Sequence, residues 1–154
     1  MSDASTSAPS PAALHLGRAG LLPFVFGALA SWFVQADWRA VTAAALTAYG
    51  ALIVSFLGGI HWGLALRQAT PRLALLGWGV MPSLLAWPAL LLPPAAGLVW
   101  LAAMLVACYA VDHRVYPAQG AAAWLGLRRQ LTVVASLSCL VAAGGIAAGA
   151  GSSA

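Results

Sequence analysis

AVTAAALTAYGALIVSFLGGIHWGLAL, residues 40–66, is a run of apolar and small residues without a single Asp, Glu, Lys or Arg. A helix needs about 20 apolar residues to cross a hydrocarbon core of about 30 Å. This stretch would be about 40 Å long as a helix, so it predicts a membrane span that tilts or projects beyond the bilayer. Working outward, four further apolar blocks follow the same pattern, at about 16–35, 72–92, 95–113 and 128–150. Arginine, proline or both bound most of these blocks. Composition agrees: the chain is 62% hydrophobic and 6% charged, against about a quarter charged in soluble domains.

The expected fold is therefore an all-α membrane protein, a bundle of five transmembrane helices forming a single domain over residues 14–150. Residues 1–13 read as a disordered N-terminal tail, because they are rich in Ser, Ala and Pro and lack the basic start of a targeting peptide. Residues 151–154 form a short C-terminal tail. The longest connection, Arg114 to Leu127, leaves no room for a soluble domain. Any chemistry must occur within the bundle or at its rim.

Arginine placement predicts the orientation. With five crossings, Arg18, Arg67, Arg72, Arg114, Arg128 and Arg129 fall on the side of the N-terminus, and Arg39 alone on the other. Positive residues in short loops stay cytoplasmic. The N-terminus is expected in the cytoplasm and the C-terminus in the periplasm, in a cell inner membrane. A net charge of +4 raises the question of nucleic acid, which needs a contiguous basic face. Arginines placed singly or in pairs at helix ends do not supply one, so no nucleic-acid partner is expected. Cys108 and Cys139 lie at different depths of two apolar segments, which argues against a disulfide and for two inert small hydrophobes.

Prolines mark the irregular points. Pro23 comes too late for the first turn of a helix beginning near Leu16, so a kink or a later start is expected. Pro82 frees the carbonyl of Trp78 and makes a helix kink, and Pro88 does the same to Leu84. On the second segment, Gly59 and Gly63 form a G-x-x-x-G pair with Ser55 one turn earlier. Gly58 lies on another side with Gly50. These positions predict close helix packing on two faces, and hence a central helix.

His61 is the one ionisable side chain clearly within hydrocarbon depth. Such a residue needs a partner, and Asp112 and Arg128 can reach it from the same side. Three readings follow. The first is structural: a neutral His61 bonds across helices, and Asp112 pairs with Arg114 or Arg128. The second is a pocket for an anionic lipid headgroup or small anion, lined by Arg67, Arg72 and Arg128. The third, a catalytic His61–Asp112 pair, ranks last, because no serine or cysteine nucleophile motif stands beside it. No H-x-x-x-H or C-x-x-C pair and no glycine-rich phosphate loop is present. No metal, cofactor or catalytic residue is therefore assigned.

Several stretches together resemble one family. They are Leu16-Gly17-Arg18-Ala19-Gly20-Leu21-Leu22-Pro23-Phe24, then Ser55-Phe56-Leu57-Gly58-Gly59-Ile60-His61-Trp62-Gly63, and Pro82-Ser83-Leu84-Leu85-Ala86-Trp87. The Asp112 to Arg114 end and Trp124 with Leu127-Arg128 through Leu131-Thr132 complete the order. The chain is similar, over about residues 14–140, to the uncharacterised bacterial and mitochondrial family that includes transmembrane protein 69. The family usually carries an aromatic after the tryptophan, where this chain has Leu125. The resemblance implies a multi-spanning inner-membrane protein and brings no established activity. A non-enzymatic accessory, assembly or lipid-contacting subunit is favoured, with the lipid bilayer and a larger membrane-protein complex as partners. The rivals are a small carrier or channel component, and an intramembrane enzyme acting on a lipid or quinone through His61 and Asp112.

Overall fold

The computed structural model describes residues 8–70 and 72–151, and the regular elements among them are helical. They are α1 (Pro11–Ala19), α2 (Leu22–Phe33), α3 (Ala36–Ala65), α4 (Leu73–Ala86), α5 (Pro94–Ala118) and α6 (Leu125–Gly151), with 3-10 turns at Trp87–Leu90 and Ala122–Trp124. They make five stretches long and apolar enough to cross a membrane. The outer surface is studded with large apolar side chains such as Phe26, Phe33, Leu66 and Leu91. A protein in water rarely leaves that much apolar surface uncovered. The chain is a multi-pass membrane protein.

The first stretch is two helices. α1 ends at Ala19, Gly20 follows as its cap, and α2 restarts at Leu22 with Pro23 in its first turn. There the missing N–H and fixed φ of proline are harmless. The Gly20 carbonyl lies outside both helices and accepts the Tyr49 hydroxyl of α3 at 2.8 Å. α1 itself begins earlier than hydropathy suggests. Ser10 caps it by accepting the Ala13 N–H at 3.2 Å, with Pro11 in the first turn. Residues 11–13 of the expected tail are thus helical, and residues 1–7 lie outside the described residues. At the other end Gly151, expected in the tail, continues α6.

Boundaries elsewhere move for similar reasons. α3 starts at Ala36, with Asp37 in the first turn where the helix dipole favours a carboxylate. α4 absorbs Pro82 and stays α-helical to Ala86, then tightens into the 3-10 turn that carries Pro88. The Trp100 indole of α5 donates to the Leu85 carbonyl next to this change of pitch, at 2.7 Å. α5 runs past Arg114 and Pro117 to Ala118. It ends in a Schellman motif: Ala121 N–H donates to the Tyr116 carbonyl at 2.8 Å and Gly120 N–H to Pro117 at 3.3 Å. Gly120 has φ 69°, the left-handed conformation that favours glycine.

α5 packs along α6, α3 along α4, α2 along α6, and α3 also against α5 and α2. Four helices (α2, α3, α5 and α6) thus enclose the core, and α4 lies outside on α3. The core includes Phe24, Val54, Leu98, Leu101, Leu105 and Cys139. Cys108 and Cys139 are both free and buried. α3 touches α4 where both backbones are bare: a Cβ on Gly58 would lie 2.5 Å from the Gly79 carbonyl and 3.2 Å from the Pro82 ring. Gly97 lets α5 pass over the Ala89 carbonyl in the same way. Gly59 and Gly63, in contrast, meet nothing within 4 Å. The G-x-x-x-G stripe therefore faces outward, which corrects the expectation that it packs within the bundle, while α3 is central as expected, with α4 against Gly58 and α5 against Gly50.

Candidate functional site

Asp112 on α5 stands at the centre of a buried polar cluster. It is 1% exposed, with His61 also at 1% and Arg128 at 7%. Arg128, one turn into α6, donates through Nε at 2.8 Å and through a terminal nitrogen at 2.5 Å, both to Asp112 Oδ2. Charge-assisted bonds of this kind are about twice as strong as neutral ones. His61, one turn from the end of α3, approaches the other carboxylate oxygen, with Nε2 3.4 Å from Oδ1. The contact is not a hydrogen bond, and both atoms lack one among the described residues.

His61 Nδ1 faces the Leu57 carbonyl at 3.3 Å. A carbonyl only accepts, so Nδ1 bonds to it when it carries the ring proton. The ring is flanked by Trp78, with centroids 6.5 Å apart, and by Tyr116 at 6.2 Å.

Two cavities flank the cluster. One, of about 340 Å³, lies among α3, α4 and α5 and is lined by His61, Arg72, Trp78, Arg114 and Gln119. The other, of about 580 Å³, lies among α1, α3, α5 and α6 and is lined by Arg67, Tyr116, Trp124 and Arg128 over an apolar wall including Phe56, Ile60 and Leu131. A neighbouring apolar crevice of about 310 Å³ shares Gly17, Phe56, Leu57, Arg128 and Leu131 with it.

The expected residues are thus partly reassembled. His61, Asp112 and Arg128 come together. Arg114 does not pair with Asp112; it is exposed and lines the smaller cavity. The anticipated trio of Arg67, Arg72 and Arg128 is split, because Arg72 opens α4 on one side of α3 while Arg67 and Arg128 line the cavity on the other. Ser55 is half-buried and, with Ser83, lines a separate shallow groove between α3 and α4. Tyr116, Trp78 and Tyr49 were not singled out. Tyr116 could have been, since it lies four residues after Asp112 and so on the same helical face.

A family model described as "Protein of unknown function (DUF3429)" matches residues 9–144. The chain belongs to this family. It is also similar to transmembrane protein 69 of Xenopus tropicalis, 46% identical over 89 residues, and of Mus musculus, 36% identical over 86 residues. Each match covers 54% of this chain and 34% of the relative. The matched stretch therefore spans about a third of the length of these curated relatives. No solved structure matches the chain. The DUF3429 model spans the whole cluster, from the α1–α2 break through His61 and Asp112 to Arg128.

Proposed function

We propose that this chain is a non-enzymatic, lipid-contacting subunit of a cell inner membrane. In this reading the N-terminus is cytoplasmic, the C-terminus is periplasmic, and the arginine-rich end holds an anionic headgroup. The observation that carries the reading is the larger cavity. Arg67 and Arg128 stand in its wall with Tyr116 and Trp124, and the shared walls lead into an apolar crevice. Cationic groups above an apolar groove suit a lipid whose phosphate pairs with arginine while an acyl chain lies along the helices. Tryptophan and tyrosine at that level fit the interfacial belt. Arg128 keeps its pairing with Asp112, and Arg67 is the group in this wall that engages the ligand.

The test is native mass spectrometry after purification in mild detergent. The wild type should retain an anionic phospholipid and Arg67→Ala should lose it. Identical lipid complements in the two proteins would refute the headgroup reading. A stable co-purifying protein is expected if the chain serves a larger complex, and a solitary monomer under the same conditions would remove that role.

A further inference from the structure

The smaller cavity differs in chemistry from the lipid crevice, and nothing above has used it. Its wall is built from three helices. α4 begins at its edge, with Arg72 as the N-cap residue and neither a side-chain cap nor an acidic residue in the first turn. The opening N–H groups of α4 therefore lack the usual side-chain acceptor, and the positive end of the helix dipole is not offset locally. Arg114 of α5 lines the same space. Two guanidinium groups and a helix N-terminus thus border about 340 Å³, and among the described residues no carboxylate lines it.

A second, independent feature points the same way. Trp78 in the wall carries a buried Nε1 N–H, a donor, without a hydrogen-bond partner among the described residues, and His61, the most buried residue of that wall at 1% exposure, has Asp112 Oδ1 3.4 Å from its Nε2. Orphaned buried groups of this kind are uncommon in folded proteins and call for an explanation. Asp112 is not part of this wall, and Arg128 engages its Oδ2 from the far side. Apart from Gln119, the remaining wall, including Leu75, Val111 and Val115, is apolar.

We propose that this cavity is a second binding site, taking the anionic group, phosphate or carboxylate, of a small ligand between Arg72 and Arg114, with the apolar part of the ligand against Trp78. The volume lies at the lower end of the range for small-molecule sites. His61 stands in this wall with Asp112 Oδ1 3.4 Å behind its Nε2, and so couples occupancy of the cavity to the Asp112–Arg128 pair. Entry from water and entry of a lipid headgroup sideways between α4 and α5 share this chemistry.

The experiment is ¹⁵N NMR of histidine-labelled full-length protein in nanodiscs, with the His61 signal assigned by its loss in His61→Gln. One arm adds phenyl phosphate to protein in neutral phosphatidylcholine. The other replaces part of the phosphatidylcholine with phosphatidylglycerol. A saturable His61 shift in the first arm names a soluble anion, and a shift only in the second names a headgroup. In either case the apparent affinity should fall at least about tenfold in Arg72→Gln/Arg114→Gln and persist in Arg67→Ala. Retention in Arg67→Ala separates this site from the lipid crevice, so either reading can fail alone. No shift in either arm, or an undiminished shift in the double variant while its helical circular dichroism is intact, would overturn the proposal.

Discussion

Replacing Asp112 by asparagine keeps the shape of the side chain and removes its charge. Arg128 would then stand 7% exposed without a counter-ion, having lost two bonds now 2.8 and 2.5 Å long. Breaking a buried ion pair by removing one partner costs about 3–5 kcal/mol. Two features put the expectation at the lower end. Arg128 begins only one turn into α6, and its long stem can turn the guanidinium toward the interface. An amide oxygen also still accepts one bond. We expect about 3 kcal/mol, or roughly a hundredfold in the folded-to-unfolded ratio. Reversible unfolding by dodecyl sulfate in mixed micelles, followed by tryptophan fluorescence, measures it. The double variant Asp112→Leu/Arg128→Met should recover most of the loss, because paired apolar replacements remove the desolvation penalty as well as the bonds. If Asp112→Asn lies within about 0.5 kcal/mol of the wild type, or if the Asp112→Leu and Arg128→Met effects simply add, the pair does not hold α5 to α6 as described.

Glycine substitutions should separate adjacent positions on one helix. Gly58→Ala drives a methyl into the Gly79 carbonyl and should cost about 1–3 kcal/mol; Gly59→Ala meets open space and should be neutral or gain up to about 1 kcal/mol in helix propensity. The same unfolding assay reads both, and equal effects would contradict the assigned rotation of α3. Tyr49→Phe should cost about 0.6 kcal/mol, the average measured for interhelical bonds in a bilayer, and at most about 1.7; no loss would mean that water serves the Gly20 carbonyl equally well. Cys108 and Cys139, at 1% and 0% exposure, should resist maleimide in the folded protein and react on denaturation. In a Cys108→Ala/Cys139→Ala background, Gln35→Cys and Ala69→Cys should label from opposite faces of the membrane with an impermeant maleimide. Labelling of both from one side would exclude the threading.

Hydropathy is a property of each residue and its near neighbours, and so the five spans and the burial of His61 were legible without coordinates. Helix ends were less so, because polar residues can be helical outside hydrocarbon. α5 runs through Arg114 to a stop at Gly120, and the Ser10-Pro11 start of α1 is a capping signal that an apolar count overlooks. One pairing was decidable from spacing alone. Residues two apart lie on opposite sides of a helix, so Arg114 could not share a face with Asp112.

What the amino-acid order settled by itself was a lipid-embedded helical chain with a few costly polar groups near one end. Tertiary structure decided which of those groups meet. The rotation of each helix about its own axis depends on neighbours distant in sequence: α4 claims Gly58 rather than Gly59, α6 brings Arg128 to Asp112, and α3 stands between Arg67 and Arg72. A turn of about 100° per residue separates a packed glycine from an exposed one and an ion pair from a cavity wall. That angle is set only when all the helices pack together.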